Sequence, residues 1–404
     1  MIRFFYSVIV TLVSWLIPLV AYFHPKVRLW HQGRKHQLVP AFSDSPVWIH
    51  CASLGEFEQG RPIVEAIKKQ WPSVQVVLTF FSSSGYELRK NYDQVNWVGY
   101  IPLDLPGNAN RFISRINPQL VIFVKYEYWF NHLTVLDQRK IPFIFISNVW
   151  RPHYFPLRWW AGWFLKTIKK GTAFFVQDQL SADILKQQNF SNVILTGDTR
   201  IDRVMELLQK PITSENLVTW SQDENVFIGG STWPEDEKIL CRFFEKTQGL
   251  KMILAPHDPS PKRLQEVFRL FESHGPRFYS QWRGESTPVL IIDSVGLLNG
   301  LYRFAKGAYI GGGFDKGIHN TLEAAVYGIP VFFGPRHKNF KEARDLLGLK
   351  LAFEINRTDE LIQKWADLSP QELTRIKQQL QVYFKENQGA TTKIIDYLRD
   401  LIHD

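Results

Sequence analysis

Short apolar runs of strand length recur along most of the chain, with helical segments between them. The runs are continuously apolar rather than alternating, as expected for strands that are buried on both faces of a parallel sheet. Gly, Pro or Asn marks most of their boundaries. A first series of predicted strands comprises residues 47–51, 74–79, 98–103, 120–124, 142–147, 173–176 and 193–196, and a second comprises residues 226–228, 252–255, 289–292, 308–310 and 331–333.

The two series are separated by a polar stretch, residues 209–224, which we interpret as a linker. At 404 residues the chain is long enough for two domains of ordinary size. We expect two doubly wound, Rossmann-like α/β domains that face a cleft. The predicted organisation is an apolar helix at 1–30, a first domain at 31–208, the linker, a second domain at 225–385 and a C-terminal helix at 386–404.

Residues 2–23 form an apolar segment with a single charge, Arg3, and a helix of this length can cross a bilayer. Pro18 leaves a bent or merely interfacial helix as the alternative. No small-residue cleavage site follows, which argues against a removed signal peptide. Positive charges follow instead and favour a cytoplasmic location for the bulk of the chain, namely His24, Lys26, Arg28, Arg34 and Lys35. The sequence therefore predicts a membrane-anchor helix.

The composition favours acidic partners but indicates no nucleic-acid-binding module. The formal net charge is +9, and the chain contains 14 Trp and 30 Phe. This combination suits an acidic membrane surface or a phosphorylated substrate at least as well as nucleic acid. The two cysteines, Cys51 and Cys241, form neither a disulfide framework nor a metal motif, which favours a reducing compartment.

Residues 150–164 are rich in aromatic side chains, since seven of these fifteen residues are Phe, Trp or Tyr, and Lys166, Lys169 and Lys170 follow. Aromatic rings interleaved with cations are typical of a membrane interface or an acyl-chain groove. Core packing is the alternative, and we expect it for some of the rings.

A glycine-rich loop marks the second domain. The predicted strand 308–310 enters Gly311, Gly312 and Gly313, and residues 320–323 open an Ala-rich helix. Glycines let a backbone approach a phosphate, and a helix N-terminus offers unpaired N–H groups. Glu323 in the first helical turn could accept hydrogen bonds from two ribose hydroxyls, although the Asn-x-x-Glu pattern also fits a capping box. We interpret the loop as a site for a nucleotide-activated sugar.

In the first domain, a carboxylate stands directly after the first predicted strand. Ligands of open α/β sheets bind at the carboxyl ends of the strands, and Glu56 lies in such a turn. Its carboxylate could take a proton from an acceptor hydroxyl. The alternative is a capping box formed by Ser53 and Glu56, and Glu58 is a nearby competitor as base. Gly55 favours function, because glycine in a first helical turn costs stability.

Two further strand ends carry polar or charged side chains. Ser82, Ser83 and Ser84 form a hydroxyl-rich loop that suits sugar hydroxyls or a phosphate, or caps a helix. Lys125 and Glu127 follow the fourth predicted strand, where charged groups are unusual unless they are paired or in a site. An ion pair between these two is the plain alternative.

Arg200 stands at the exit of the last strand of the first series. A cation at this place can neutralise negative charge in a reacting donor. The alternative is a salt bridge with Asp198 or Asp202.

Taken in order, five segments of the chain resemble the 3-deoxy-D-manno-octulosonic acid (Kdo) transferases, membrane-associated glycosyltransferases of the GT-B fold that attach Kdo to the lipid A precursor. The segments are the apolar N-terminus, Ala52–Glu56, Glu127–Trp129, Thr196–Arg200 and His319–Glu323, and the resemblance extends in this order over nearly the whole chain. The resemblance implies an acceptor-binding first domain and a donor-binding second domain. It also implies a role in lipopolysaccharide biosynthesis at the inner (cytoplasmic) membrane, with the catalytic domains on the cytoplasmic side.

The resemblance also implies roles for individual residues. Glu56 would be the general base, and Glu127 and Arg200 would stabilise the transition state. The cytidine monophosphate (CMP) part of the donor would be held by Pro256, His257, Val295, Gly296, Leu297, Asn320, Thr321, Leu322 and Glu323. From the residues themselves, we expect Gly311, Gly312 and Gly313 to bind the donor as well, and we expect the acceptor to be held by Ser53, Gly55, Ser82, Ser83, Ser84 and Lys125.

Three positions depart from the family pattern. His257 stands where arginine is common, which weakens phosphate contact or shifts it to Lys262 or Arg263, because histidine is only fractionally charged at neutral pH. Arg200 replaces a frequent lysine and keeps the charge. Lys125 stands where a carboxylate is usual, among the residues that we expect to hold the acceptor.

We therefore expect an inverting, metal-independent transfer of Kdo from CMP-Kdo to lipid IVA, without a cofactor, by an enzyme that also contacts membrane lipid. The sequence offers no DxD-like pair for a metal. Two alternatives stay open. One is a GT-B transferase that uses a uridine-diphosphate sugar on a lipid-linked acceptor, and the other is a non-enzymatic, membrane-attached module that binds acidic lipid.

Overall fold

The computed structural model describes residues 2–209, 214–222 and 225–403. The chain divides into two compact units, the first formed by Met1–Asp202 with Asn387–Asp404 and the second by Arg203–Glu386. Each unit contains one seven-stranded sheet in which neighbouring strands are parallel.

The sheet of the first unit has the strand order β3-β2-β1-β4-β5-β6-β7. Its strands are β1 (Val47–Cys51), β2 (Val76–Phe80), β3 (Trp97–Tyr100), β4 (Leu120–Val124), β5 (Phe143–Asn148), β6 (Ala173–Val176) and β7 (Val193–Leu195). Side chains alternate between two apolar clusters, one on each face, so that Trp48 packs with Phe123 while Ile49 packs with Val124. This alternation explains why the strands are apolar at almost every position.

Helices cover both faces of that sheet. They are α1 (Ile2–Phe23), α2 (Pro25–His36), α3 (Leu54–Gln70), α4 (Ser83–Arg89), α5 (Pro106–Ile116), α6 (Phe130–Gln138), α7 (Gly162–Ile168), α8 (Gln179–Gln187) and α9 (Thr199–Leu208), with short 3₁₀ helices at Phe155–Leu157 and Trp159–Ala161. The chain returns to this unit at its C-terminal end. There Ile394 and Leu398 of a last helix pack in the same cluster as Ile49.

The sheet of the second unit has the order β10-β11-β9-β8-β12-β13-β14. Its strands are β8 (Asn225–Thr232), β9 (Leu250–Pro256), β10 (Arg277–Phe278), β11 (Val289–Ile291), β12 (Gly307–Ile310), β13 (Val331–Phe333) and β14 (Ala352–Glu354). The remaining helices are α10 (Glu215–Ser221), α11 (Pro234–Lys246), α12 (Pro261–Leu270), α13 (Leu298–Leu301), α14 (Leu322–Ala325), α15 (Lys341–Gly348), α16 (Thr358–Ala366), α17 (Pro370–Asn387) and α18 (Ala390–Leu398), with 3₁₀ helices at Glu272–His274 and Tyr302–Phe304.

The strand order creates one topological switch point in each sheet. In the first unit, β1 has β2 on one side and β4 on the other. In the second unit, β8 has β9 on one side and β12 on the other. Open α/β sheets bind ligands outside the carboxyl ends of the strands at such a point. The residues that follow β1, β4, β8 and β12 are therefore where a site is expected.

The predicted fold class of two parallel α/β sheets is confirmed, and every predicted strand has a counterpart in the structure. The sequence missed β10 and β14, which are only two and three residues long. Of the predicted linker 209–224, residues 210–213 and 223–224 lie outside the described residues, and Glu215–Ser221 is helical. The predicted apolar N-terminal helix is present as Ile2–Phe23.

Candidate functional site

A buried chain of hydrogen bonds crosses the carboxyl edge of the first sheet. Trp48 Nε1 donates to Thr79 Oγ1 at 2.7 Å, and the same hydroxyl lies 2.8 Å from His50 Nδ1. His50 Nε2 lies 3.1 Å from Glu127 Oε2, which also accepts from Trp129 Nε1 at 2.8 Å. The chain joins β1, β2 and the turn after β4, so it lies at the switch point.

The donors and acceptors of this chain assign its protons. A carboxylate accepts hydrogen bonds, so we assign the proton to His50 Nε2, which donates to Glu127 Oε2. His50 Nδ1 can then accept from the Thr79 hydroxyl, whose oxygen accepts from Trp48. Burial lowers the pKa of His50, although Glu127 opposes that shift, so the imidazole is neutral.

Glu56 lies beside this chain, in the first turn of α3. Burial raises the pKa of Glu56, and the charge of Glu127 raises it further, while Lys125 and a hydrogen bond from Ser53 oppose the rise. Ser53 Oγ donates to Glu56 Oε2 at 3.0 Å and makes no hydrogen bond to the helix backbone. Half of the capping box that we kept as the alternative is therefore formed, because the Ser53 backbone also donates a hydrogen bond to Glu56. The other half is absent, because the Ser53 hydroxyl bonds the carboxylate and not the helix backbone.

The loops after β1 and β2 are joined through one carbonyl. Ala52 O accepts from Phe81 N at 3.2 Å and from Ser82 N at 2.7 Å. Gly55 is exposed, and a Cβ atom placed there would meet nothing closer than Ser53 Oγ at 3.9 Å. Packing within the described chain therefore does not require glycine at position 55.

Of the three serines after β2, Ser82 and Ser84 make hydrogen bonds at the start of α4. Ser82 Oγ accepts from Gly85 N at 3.5 Å at the start of α4 and lies 2.9 Å from Ser84 Oγ. Ser83 begins α4 and is half-buried, and Ser84 is exposed. A weak cap of this length leaves the hydroxyls accessible to a ligand.

Two cations complete the first switch point. Lys125 has a positive φ of 63°, and its charge lowers the pKa of Glu56 and of Asp198. Arg200 Nη2 lies 2.6 Å from Asp198 Oδ2, which is the salt bridge that we kept as the alternative for Arg200. Asp202 instead accepts from Gly389 N and Thr391 N, both at 2.6 Å.

A stack of three rings lies at the switch point of the second sheet. His257 stacks on Trp233, with ring centroids 4.8 Å apart, and on His319 at 4.5 Å. Trp233 Nε1 donates to His319 Nε2 at 3.3 Å, and Lys316 Nζ lies 4.9 Å from the Trp233 ring centroid. Of these four residues, only His257 was predicted as a site residue. Trp233, His319 and Lys316 were not predicted.

The two histidines of the stack carry little charge at neutral pH. Burial lowers the pKa of His257, and burial together with His257 lowers the pKa of His319 to about 4. Arg263, suggested as a substitute cation, is engaged by Glu237 and Glu266. Positive charge near the stack therefore comes from Lys316.

The three glycines after β12 are required by packing. A Cβ atom at Gly311 would collide with Ser231, and one at Gly313 would collide with Gly334. Gly312 has a φ of 93°, which favours glycine. Backbone N–H groups are also engaged, since Gly311 donates to Gly230 O at 2.9 Å and Gly312 to an Asp236 oxygen at 2.8 Å. The glycines thus shape the loop, and two of their N–H groups already have acceptors.

The predicted Ala-rich helix is a single turn, α14. Asn320 Oδ1 accepts from Leu322 N at 3.1 Å, and Asn320 Nδ2 donates to Glu323 Oε1 at 3.0 Å. Thr321, not Asn320, is the N-cap, and its side chain makes no cap hydrogen bond. The capping box that we kept as the alternative is therefore not formed, and the Asn320 side chain contacts the Glu323 carboxylate directly, which orients it.

The other residues that we predicted to bind the donor follow β9 and β11. Pro256 ends β9, and His257 N donates to Thr232 O at 3.0 Å. Val295 is 85% exposed and Gly296 has a φ of 93°, in the loop before α13 that also contains Leu297. His319 N donates to Gly311 O at 3.1 Å, so the ring stack and the glycine loop form one edge.

One group among the described residues could hold a metal ion. The ligand atoms of Cys241, Glu245 and His274 lie within 4.8 Å of one another. They lie toward the C-terminal end of α11, away from the ring stack at its N-terminal end. Burial raises the pKa of the Cys241 thiol to about 11, which opposes the thiolate that binds metals. This group is separate from the switch-point site.

Comparison with known proteins shows which family the chain resembles. Residues 24–203 match the family model described as 3-deoxy-D-manno-octulosonic-acid transferase (kdotransferase). A 3-deoxy-D-manno-octulosonic acid transferase of Haemophilus influenzae is 27% identical over 87% of this chain and 86% of its own length. The corresponding protein of Aquifex aeolicus is 28% identical over 88% of this chain and 94% of its own length. The predicted resemblance to the Kdo transferases is confirmed by these comparisons. The similar proteins are glycosyltransferases, and the predicted enzyme class is confirmed.

Solved structures support the fold of this chain. A UDP-GlcNAc 2-epimerase of Neisseria meningitidis aligns with a TM-score of 0.60 over 88% of this chain and all of its own, at 15% identity. A MurG protein of Acinetobacter baumannii aligns with a TM-score of 0.58 over the same shares, at 12% identity. At these identities the likeness shows the GT-B-type fold and nothing about substrates.

Proposed function

We propose that this enzyme transfers Kdo from CMP-Kdo to a lipid A precursor, lipid IVA, in lipopolysaccharide biosynthesis, with inversion and without a metal ion. Similarity to the Kdo transferases supports the reaction class. The observation that carries the mechanism is the pair of carboxylates at the β1–β4 switch point. Glu56 has a raised pKa there because it is buried and faces the charge of Glu127.

Glu56 is the general base of this mechanism. A carboxyl whose pKa is raised toward neutrality is a stronger base than a solvated one. The acceptor hydroxyl oxygen forms a bond to the anomeric carbon of Kdo, and its proton passes to Glu56. The bond from that carbon to the phosphate oxygen breaks, and CMP leaves with the bonding electrons. Attack opposite the leaving phosphate inverts the carbon.

Glu127 and Arg200 act by electrostatics. His50 and Trp129 each donate an N–H to Glu127, which fixes the position of its carboxylate. Glu127 also raises the basicity of Glu56 and stabilises positive charge that develops at the anomeric carbon. Arg200 offsets negative charge of the donor, and its bond to Asp198 holds the guanidinium in place.

The two units divide the ligands between them. In the second unit, Pro256, His257, residues 295–297 and Asn320–Glu323 bind CMP, with the Glu323 carboxylate on the ribose hydroxyls. Because the His257 and His319 pKa values are low, phosphate binding there depends on N–H donors and on Lys316. In the first unit, the acceptor contacts Ser53, Gly55, Ser82, Ser83, Ser84 and Lys125. The enzyme works at the inner membrane with both units on the cytoplasmic side.

Glu56→Gln tests the base assignment. Transfer of Kdo to lipid IVA, measured by mass spectrometry of the product, should fall by about 10²–10⁴-fold, which is the usual contribution of general base catalysis. CMP binding, measured by calorimetry, should not change. Glu58→Gln is the matched control, because Glu58 lies two residues away and pairs with Arg89 at 3.1 Å. Near-normal turnover of Glu56→Gln would overturn the assignment.

Thermal unfolding separates a lost base from a lost fold. The pKa of Glu56 is raised in the folded protein above its unfolded value. The stability that this carboxyl contributes is therefore present at low pH and is lost as the pH rises through the folded pKa. Glu56→Gln removes the buried charge, so the variant should unfold at the same or a higher temperature than the parent at pH 8. Earlier unfolding would attribute the lost activity to the fold.

A further inference from the structure

Three side chains that are common metal ligands meet in the second unit, apart from its ring stack and glycine loop. Cys241 and Glu245 lie on α11 four residues apart, so both project from the same face of the helix. His274 comes from the 3₁₀ helix Glu272–His274, which follows α12. The Sγ atom, a carboxylate oxygen and a ring nitrogen of these residues all lie within 4.8 Å of one another. A sulfur, an oxygen and a nitrogen donor thus converge from two separate parts of the chain.

The separations between these atoms suit a tetrahedral ion. Cys241 Sγ lies 3.9 Å from Glu245 Oε1, and His274 Nε2 lies 3.5 Å from the same oxygen. Bonds of about 2.0–2.3 Å to a tetrahedral zinc ion place neighbouring ligand atoms about 3.3–3.8 Å apart. One ion could therefore bond to all three atoms after small side-chain rotations, and the exposed Glu245 has the most freedom to make them.

Packing holds the other two ligands in place. Cys241 is 5% exposed within an apolar cluster of the second unit, and its Sγ donates to Leu270 O at 3.3 Å. The His274 ring lies edge-on to the Phe244 ring, with centroids 5.0 Å apart, and the His274 backbone N–H donates to Phe271 O at 2.9 Å. Ligands that are ordered beforehand lose less conformational freedom when an ion binds.

The His274 ring carries a buried nitrogen that packing alone does not explain. Nε2 makes no hydrogen bond to any residue that the structure describes. Glu245 Oε1, at 3.5 Å, is beyond the usual hydrogen-bond range, which ends at about 3.2 Å. A buried polar atom without a partner is rare in native structures, and a bound ion is one explanation for such an atom. An ordinary ion pair between Glu245 and His274 would leave this nitrogen unsatisfied.

The donor set selects the class of metal. Zn²⁺ binds thiolate sulfur, imidazole nitrogen and carboxylate oxygen, whereas Mg²⁺ and Ca²⁺ take oxygen ligands. Three protein ligands leave a fourth tetrahedral position for water. Because Glu245 is exposed, an ion can reach the cluster from solvent.

We propose that Cys241, Glu245 and His274 bind a zinc ion that joins α11 to the 3₁₀ helix after α12. The ion bonds to Sγ, Oε1 and Nε2, and the thiol proton is released to solvent. The raised pKa of the Cys241 thiol describes the metal-free chain, since a coordinated ion removes the proton outright. Trp233 of the ring stack precedes Cys241 by about 12 Å along α11, at 1.5 Å per residue. The ion therefore stabilises the second unit and takes no part in transfer.

Cobalt substitution tests for the thiolate ligand. The full chain, purified without an affinity tag and treated with a chelator, is titrated with Co²⁺, whose absorption reports its ligands. A bond from Cys241 Sγ should give a sulfur-to-metal charge-transfer band, and added Zn²⁺ should remove the band. Cys241→Ser should lose it, whereas Cys51→Ser, at the other free and buried cysteine, should keep it. A parent without the band, or a Cys241→Ser variant that retains it, would rule out the proposed site.

Zinc affinity tests the other two ligands. Glu245→Gln and His274→Ala should each weaken zinc binding, measured by calorimetry on the full chain, by about tenfold or more, because loss of even an outer partner of a metal site has an effect of this size. Glu272→Gln is the matched control, since Glu272 is an exposed glutamate of the same 3₁₀ helix and should leave the affinity unchanged. Parental affinity in both ligand variants would contradict the proposal.

Thermal unfolding measures what the ion does for the second unit. Zn²⁺ at about 100 times its dissociation constant should raise the unfolding temperature of the parent by about 5–10 °C. Cys241→Ser should lose this shift, whatever its unfolding temperature without metal, so a destabilised variant remains informative. An equal shift in Cys241→Ser would place the zinc elsewhere. None of these measurements depends on transfer of Kdo, so their outcome is independent of the proposed function.

Discussion

The two switch points of the molecule have the same topology and opposite chemistry. In the first unit, the turns after β1 and β4 bring together two carboxylates, Glu56 and Glu127, with a buried histidine between the strands. In the second unit, the turns after β8, β9 and β12 bring together aromatic rings and tightly packed glycines. The first edge concentrates carboxylates, whereas the second is built mainly from aromatic rings and glycines.

This difference indicates how the work of the enzyme is divided. Buried like charges shift the pKa of Glu56 upward, which prepares a group to move a proton. Burial shifts the pKa values of His257 and His319 downward, which keeps them neutral and leaves stacking and hydrogen bonding as their means of contact. We therefore expect substitutions in the first unit to change rate and pH dependence, and substitutions in the second to change nucleotide affinity.

Glu127→Gln should have the largest effect of the remaining tests. The glutamine keeps an oxygen for the N–H groups of His50 and Trp129 but removes the charge that raises the pKa of Glu56. We expect transfer to fall by about 10²-fold, in line with the loss of one fixed electrostatic contact. The acid limb of the pH–rate profile should move to lower pH, because a less perturbed Glu56 ionises earlier.

The measurement for Glu127→Gln is kcat/KM against pH, with calorimetry of CMP binding as its control. An unchanged acid limb would show that Glu56 and Glu127 do not interact during turnover. A loss of CMP affinity would contradict the division between the two units.

Trp233→Ala tests the second unit, with a smaller expected effect. The Trp233 ring stacks on His257 and its N–H donates to His319, so removal of the ring exposes both histidines. Aromatic stacking near a base is worth about 1–3 kcal/mol, so CMP should bind about tenfold more weakly. The pH–rate profile at saturating donor should keep its shape.

Trp233→Phe is the matched control, because it keeps a ring and loses only the N–H to His319. Its CMP affinity should lie between those of Trp233→Ala and the parent. If Trp233→Ala instead moved the acid limb and left CMP affinity unchanged, the two edges would not differ in the way proposed.

The sequence predicted the local parts of both sites. Glu56 was identified because a carboxylate in the turn after a buried strand is open to ligands, and the glycines because three in succession need a reason. The packing that requires these glycines was not predictable, because Ser231 lies in β8 and Gly334 follows β13, and these two residues leave no room for a Cβ atom. Whether a glycine loop binds a phosphate or another strand depends on contacts distant in sequence.

The parts that the sequence could not give are pairs formed across the sheet. His50 and Glu127 are 77 residues apart, and their contact requires β1 to lie beside β4. A signal for His50 was present, since a histidine within an otherwise apolar strand needs a buried partner. The return of residues 387–404 to the first unit had no comparable signal, because apolar residues such as Ile394 fit the core of either unit.

His257→Arg should give the smallest change. It tests whether a positive charge at position 257 strengthens the binding of the phosphate. Burial lowers the pKa of His257, so the imidazole is neutral at pH 7 and gives a phosphate no ionic attraction. An arginine at this partly exposed position would supply a permanent charge and should tighten CMP binding about twofold to fivefold, as expected for a partly solvated contact. The gain should shrink in high salt, because screening weakens exposed charge pairs. Calorimetry at two salt concentrations measures both effects, and His257→Gln, which is neutral, should show no gain. If arginine gave no gain at low salt, the phosphate would not lie beside the ring stack, and the second edge would bind the nucleotide through its base and ribose alone.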